Sequence, residues 1–417
     1  MKHFLAILAL LSMILAGCAS DRKFGFLGTS PITLNEESDL DELITLTSNY
    51  DVVLLGESSH GTQEFYEWRR LISQRLISEK GFSFIAVEGD WNSLYELNLY
   101  VKGLSDYNSA REVLDTFGRW PTWMWANKEI ELLAEWLKEH NQGLPVDERV
   151  GFFGLDVYGA ENSLSVVQEE LGGVYPCLSR FQNDFGDYPA YLAQQGGSCE
   201  DEAINVFGKI KGNQSLREAL GSKEFFYLEQ NAFVVKNAEK HYRGMLSQSP
   251  DSWNKRVLHM NKSVGRLIEH ADGKGIVWAH NTHVGDARAT EMSLYGQVNK
   301  GQLLREAGLN VFILGFGTYK GEVVAGSSWG SPMQVMQVPE AMNESYEYLL
   351  ESLGLESEII VFNETTPQEL FEARGHRAIG VVYNPLNEQG NYVGTILPYR
   401  YDAFIFFKET SALKLLN

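Results

Sequence analysis

One stretch constrains the fold more than any other: Asp51–Asp90, DVVLLGESSHGTQEFYEWRRLISQRLISEKGFSFIAVEGD. A β-rich apolar run, Val52–Leu55, meets Gly56 and then Glu57-Ser58-Ser59-His60-Gly61. Thr62–Lys80 follows as an amphipathic helix, with Phe65, Trp68, Ile72 and Leu76 recurring at helical steps on one side. A second apolar run, Phe84–Val87, ends on Glu88. Strand, polar turn, helix and strand in this order make a βαβ unit, whose crossover forces the two strands parallel. Neighbouring strands lie about 4.8 Å apart. If these two are neighbours, Glu57 and Glu88 leave one sheet edge side by side, with His60 a turn onward. Open α/β sheets hold ligands at that carboxyl edge, so the stretch reads as an active site.

The rest of the chain extends this unit. Leu40–Thr47, Trp91–Val101 and Ile130–His140 read as helices, and Arg149–Leu155 as a third strand ending on Asp156. From about 162 to 266 strand-like runs vanish, Gln, Asn, Glu and Lys become frequent, and helical periodicity returns in Phe225–Leu246. Strands resume at Gly275–Trp278, which runs into Ala279-His280-Asn281-Thr282-His283. Asn310–Phe316, Gly321–Ala325, Ala378–Tyr383 and Tyr401–Phe407 complete the set. This pattern predicts an α/β fold with a mostly parallel central sheet flanked by helices. Its core falls in two parts, 34–161 and 267–417, and the helical insertion 162–266 forms one wall of a cleft. No fixed-period repeat is present, which excludes a solenoid.

The formal charge of −20 over 417 residues argues against nucleic-acid partners. Lys2 and His3 precede an apolar run, Phe4–Leu15, too short to stay in a bilayer as a spanning helix. Leu15-Ala16-Gly17-Cys18 then resembles a bacterial lipobox. Residues 1–18 are expected to be a lipoprotein signal peptide and Cys18 the lipidated residue. The segment 19–33 is then a polar tether, and the protein is exported and lipid-anchored to the cell envelope. Ala19 after the cysteine points to the periplasmic side of the outer membrane. An ordinary signal peptide with an incidental cysteine is the alternative. Cys177 and Cys199 remain, an even pair suited to an oxidising space. A disulfide between them would contribute roughly 3 kcal/mol on the chain-entropy model; two free buried thiols are the other possibility.

Several residues have the chemistry of a site. His60 sits in a glycine-bounded turn three residues after Glu57, and imidazole titrates near neutrality. A carboxylate beside it fixes one tautomer and makes it a better base, although a helix-capping turn residue looks the same in sequence. Glu57 has a structural reading too, as a negative charge at a helix N-terminus. Glu88 ends an apolar strand and needs a partner to offset its burial. Arg69 lies beside the apolar stripe of its helix, so it either pairs with a buried carboxylate or snorkels like Arg70. His280 and His283, with three acids nearby, raise a metal site, yet HExxH is absent and no metal is assigned. Ser58 and Ser59 lack the G-x-S-x-G elbow of a serine hydrolase. Trp120, Trp123 and Trp125 crowd after the Glu88 turn and serve either the core or, with Asp156, a substrate wall.

Taken in order, LGESSHGTQEF, FIAVEGDW, GFFGLDVYG, VWAHNTHVGD and GQLLREAGLNVFILGFGTYKG resemble the successive motifs of the erythromycin esterase family. The resemblance runs from about Val52 to the C-terminus. It implies an α/β fold with a helical lobe, a cleft between the two, and hydrolysis of a macrolactone or other small ester without cofactor or metal. The family's general base falls on His60, its glutamates on Glu57 and Glu88, its cleft arginine on Arg69 and its later histidines on His280 and His283. By that analogy His60 takes a proton from the attacking water, and Arg69 or a protonated histidine stabilises the oxyanion. A lipid anchor is unlike the family's cytosolic esterases, which leaves the substrate open between a drug, an envelope ester and something else. A metal-dependent hydrolase on the same fold and a non-catalytic envelope binding protein are the competing readings.

Overall fold

The computed structural model describes residues 31–181, 183–195, 197–247 and 250–416. The signal segment, Cys18 and most of the tether lie outside them. The strands in chain order are β1 (Ile32–Thr33), β2 (Val52–Leu55), β3 (Phe82–Val87), β4 (Gly151–Gly154), β5 (Lys274–Trp278) and β6 (Val311–Gly326). They continue with β7 (Met333–Val338), β8 (Ser357–Val361), β9 (Arg374–Arg377), β10 (Tyr392–Thr395) and β11 (Ala403–Thr410). Nine of them form one sheet in the order β1-β8-β11-β6-β2-β5-β3-β4, with β7 pairing β6 from the side. The six strands from β11 to β4 are parallel to one another, and β1, β7 and β8 join antiparallel. A mostly parallel sheet flanked by helices is therefore the architecture.

Helices cover both faces, which is why the central strands are apolar throughout rather than alternating. Successive residues of β2 still point to opposite sides. Val53 and Leu55 join one core with Phe65, Ile72 and Leu76 of α1 (Gln63–Lys80), α2 (Trp91–Val101) and α3 (Lys128–His140). Val52 and Leu54 face the other core. That one is filled by α4 (Ala160–Leu171), α5 (Glu200–Lys211), α6 (Gln214–Gly244) and α7 (Asp251–Ala271). From Ala160 to Ala271 the described chain holds helices and no strand, and its apolar side chains are continuous with those of the sheet. A disulfide joins Cys177 to Cys199, the residue that opens α5, with their Cα atoms 5.5 Å apart.

Four expectations need correction. β2 and β3 are not neighbours, because β5, almost 200 residues further on, is inserted between them. Asn310–Phe316 and Gly321–Ala325 are one continuous strand, β6, whose second half leaves the parallel sheet to pair with β7. Ala378–Tyr383 is not a strand; Ile379 and Val382 make isolated bridges to Ser59 and Gly326. The tether ends before Ile32, since Ile32 and Thr33 pair with Ile359 and Glu358 of β8.

Candidate active site

The strand order decides which ends meet. β2, β5, β3 and β4 are consecutive in the sheet, so their carboxyl ends deliver, in that order, Glu57 with His60, His280 with His283, Glu88, and Asp156. The inserted strand thus brings the later histidines between the two glutamates. Glu57 and Glu88 are therefore not side by side; each is engaged separately.

Glycine makes the first turn possible. A Cβ at Gly56 would overlap the Asn281 side chain, and one at Gly61 would overlap the Val324 carbonyl. Between them, Glu57 is buried and bridges His60 and Arg69. Its Oε1 lies 2.9 Å from His60 Nδ1, and its Oε2 accepts from Arg69 Nη2 at 2.6 Å. Arg69 itself is wholly buried, stacked over Tyr66 and Trp278. It stands behind Glu57 and does not line the cleft, so the direct oxyanion role expected for it is not available. α1 turns this face to the sheet, which removes the snorkelling alternative.

His60 and His280 face each other with ring centroids 5.0 Å apart. Their environments separate them. Burial pushes His60 down, but the hydrogen bond and charge of Glu57 outweigh it and leave the imidazole above its ordinary 6.5. Burial, with His60 adding to it, holds His280 well below that value, so His280 is neutral. Its Nδ1 accepts from the Thr282 N–H at 3.2 Å and contacts the Thr282 hydroxyl at 2.7 Å. The ring proton therefore sits on Nε2, which has no hydrogen-bond partner among the described residues.

Glu88 is held by two donors, with His283 beside it. Its Oε2 accepts from the His280 N–H at 3.0 Å, its Oε1 from Arg256 Nη2 at 2.7 Å, and His283 Nε2 lies 3.2 Å from Oε1. Burial would raise this carboxyl; the pull of the Arg256 guanidinium opposes it, and Glu88 is held well below the usual carboxylate range. Arg256 also clamps Asp156 through Nε at 2.8 Å and Nη2 at 2.5 Å, a fork that leaves Asp156 at about 2 against the effect of burial. Burial keeps His283 neutral, at about 4, and its ring stacks on Trp253 at 4.4 Å.

These groups floor a cleft of about 370 Å³, within the range of small-molecule sites. Leu94, Phe117, Met124, Trp125 and Val381 make its apolar walls, and Trp253 with Arg256 brings α7 in from the helical segment. Of the three tryptophans expected as a substrate wall, only Trp125 lines this cleft. Trp123 is packed in the core, and Trp120 turns away, its Nε1 bonded to the Ser331 carbonyl at 2.9 Å. Ser58 and Ser59 are buried off the cleft. Among the described residues, no group of three or more His, Cys, Asp or Glu side chains is arranged to hold a metal ion, and no helix is long and apolar enough to cross a membrane.

The family model for erythromycin esterase matches residues 77–410. The chain belongs to the erythromycin esterase family. Membership supports an esterase-like hydrolase at the level of the family. An erythromycin esterase type II from Escherichia coli is 26% identical over 131 residues, 30% of this chain. The chain spans only 29% of that relative's length in the match. Among solved structures, a Bacillus cereus protein superposes with a TM-score of 0.75 at 21% identity, covering 95% of this chain and 99% of that one. A succinoglycan biosynthesis protein superposes at 0.74 with 20% identity and the same coverage. An erythromycin esterase mutant in its open conformation gives 0.60 with 18% identity, over 92% of this chain and 96% of that one. These likenesses establish the fold.

Sequence reasoning missed Arg256, because it follows Lys255 in an amphipathic helix and reads there as one more solvated charge. It also missed the support behind His280. Asn281 is buried, donates to the Phe316 carbonyl at 2.7 Å, and sets its Nδ2 3.1 Å from His376 Nε2. His376 in turn meets Glu347 through Nδ1 at 2.6 Å, a fully buried pair. Arg400 donates to the Asn281 carbonyl at 3.0 Å. The His280 loop is thereby clamped from the C-terminal part of the chain, across 35 residues to Phe316, 95 to His376 and 119 to Arg400, which no local pattern signals.

Proposed function

We propose that the protein hydrolyses a carboxylic ester or lactone with a water activated by His60. The Glu57 contact keeps the proton on Nδ1 and leaves Nε2 free to take one from water. The resulting hydroxide attacks the ester carbonyl. As charge grows on the carbonyl oxygen, the Nε2–H of His280 donates to it. A neutral donor suits this place, since a second imidazolium 5.0 Å from a protonating His60 would be repelled. His60 then returns the proton to the leaving alkoxide, so water is consumed and an acid and an alcohol are formed. Glu88 holds the His280 backbone, and Arg256 holds Glu88. Positioned bases contribute about 10²–10⁴ in rate and oxyanion donors about 10²–10³ each.

The observation that supports this reading is the pair itself: a Glu57-linked His60 facing a neutral His280 with an unengaged N–H, on the floor of an apolar cleft. The test is a panel of macrolides, simple lactones and aliphatic and aryl esters, incubated with purified protein and read by mass. Hydrolysis adds one water to a lactone and splits an ester. We expect turnover that persists in strong chelator. Turnover abolished by chelator and restored by one metal ion would replace this mechanism with the metal-dependent one. Binding without turnover across the panel would favour a non-catalytic binding protein.

A further inference from the structure

A second hollow of about 580 Å³ adjoins the cleft and shares Arg119, Tyr158 and Trp329 with it. Its own walls are aromatic. Trp120 meets Trp329 edge-on at 4.8 Å, Trp329 lies 6.4 Å from Tyr158, and Tyr158 meets Tyr242 edge-on at 6.4 Å. Trp329 is 64% exposed at the mouth, an open aromatic face that packing within the chain does not account for.

Polar groups ring the same space. Arg119 spends Nε on Asp90 at 2.6 Å and Nη1 on the Trp120 carbonyl at 2.9 Å. Among the described residues its Nη2 has no hydrogen-bond partner. The Asn183 side chain lines the hollow without a partner among the described residues, and the Glu161 carboxyl meets its own backbone N–H. Arg119 and Arg256 already lie over the Tyr158 ring at 4.8 Å and 4.9 Å, so the hollow offers the aromatic faces of Trp120, Trp329 and Tyr242 together with uncommitted donors and acceptors.

We propose that this annex binds a neutral hydroxylated sugar ring, so that the favoured ester is one carried on a glycosyl group. A pyranose presents an apolar C–H face to an aromatic ring and a rim of hydroxyls that both donate and accept. Asn183, Glu161 and Arg119 match that rim. A cationic ligand fits less well. The Arg119 guanidinium forms one wall, the Asp184 carboxylate is used on the Gly186 N–H at 2.6 Å, and burial with Asp90 nearby pushes the Glu161 carboxyl up. The second half of the proposal, though not the first, rests on the ester hydrolase reading.

Binding and turnover test the two halves separately. Methyl glucoside, galactoside and mannoside are titrated against the full protein with tryptophan fluorescence as the readout. A saturable change at about 1–10 mM for at least one sugar, lost in both Asn183→Ala and Tyr242→Ala, is expected. Asn183 is exposed, so its removal leaves the fold intact. Hydrolysis is then compared for butyl butyrate, butyrylcholine and a 6-O-butyryl methyl glycoside of the bound sugar. The glycosyl ester should show the lowest KM, raised roughly tenfold by Tyr242→Ala, while butyl butyrate turnover stays unchanged and Glu161→Gln has little effect. No saturable sugar binding overturns the proposal, as does a preference for butyrylcholine that Glu161→Gln removes. Sugar binding with no ester turned over would leave the annex standing and refute the hydrolase.

Discussion

His60→Ala lowers ester turnover by about 10³–10⁴ while leaving the protein folded, because it removes the one imidazole placed to deprotonate water. His60 lies in the turn between two glycines and its ring contact is with His280 on the cleft floor, so its loss costs chemistry rather than core. A buried Glu57 left with Arg69 alone still has a 2.6 Å partner, and the fold does not acquire an unpaired charge. The measurement is kcat and KM on the best ester of the panel, with circular dichroism and urea unfolding on the same sample. Retention of even a tenth of the activity would show that another group activates the water.

Arg256→Ala acts on stability first. It strips the cation from Glu88 and Asp156, whose side chains are 5% and 2% exposed. Breaking a buried ion pair by removing one partner costs about 3–5 kcal/mol, since the charges left behind remain desolvated. Here one arginine serves two carboxylates, and both rise toward protonation without it. The His280 N–H then loses a fixed acceptor, so activity falls along with stability. Arg256→Lys keeps the charge but not the fork that spans both acids, and lands between the two. Urea midpoints for the three proteins check this order. A loss below about 1 kcal/mol for Arg256→Ala would mean that the two acids are not held by this arginine.

Much of this site is written locally, and some of it is not. Leu55, Val87, Gly154 and Trp278 end strands, and each is followed within two residues by an acid or a histidine, a pattern visible without coordinates. The helix that packs Phe65, Ile72 and Leu76 inward shows its period equally plainly. What no window reveals is adjacency. β5 enters between β2 and β3 although it follows both in the chain by well over 150 residues, and that insertion turns a supposed pair of glutamates into two separate ones with histidines between them. Arg69 was open to two readings because helical spacing places it at the margin of the buried stripe. Arg256, Glu347 and His376 carry no local signal at all, since their partners arrive from other elements. Ala378–Tyr383 reads as a strand because it is apolar and β-branched. Its backbone instead bridges singly to Ser59 and Gly326 beside the cleft.

The pH dependence of kcat/KM isolates His60 as the base, because it reports the ionisation of the free enzyme's essential group. A base works only when neutral. Glu57 raises His60 above 6.5, so activity must fall as pH drops through that raised value and be complete above it. Ester hydrolysis by the intact protein is expected to show one acid limb of unit slope with its midpoint above 6.5. A flat profile, or a midpoint at or below the value of a free histidine, would contradict it.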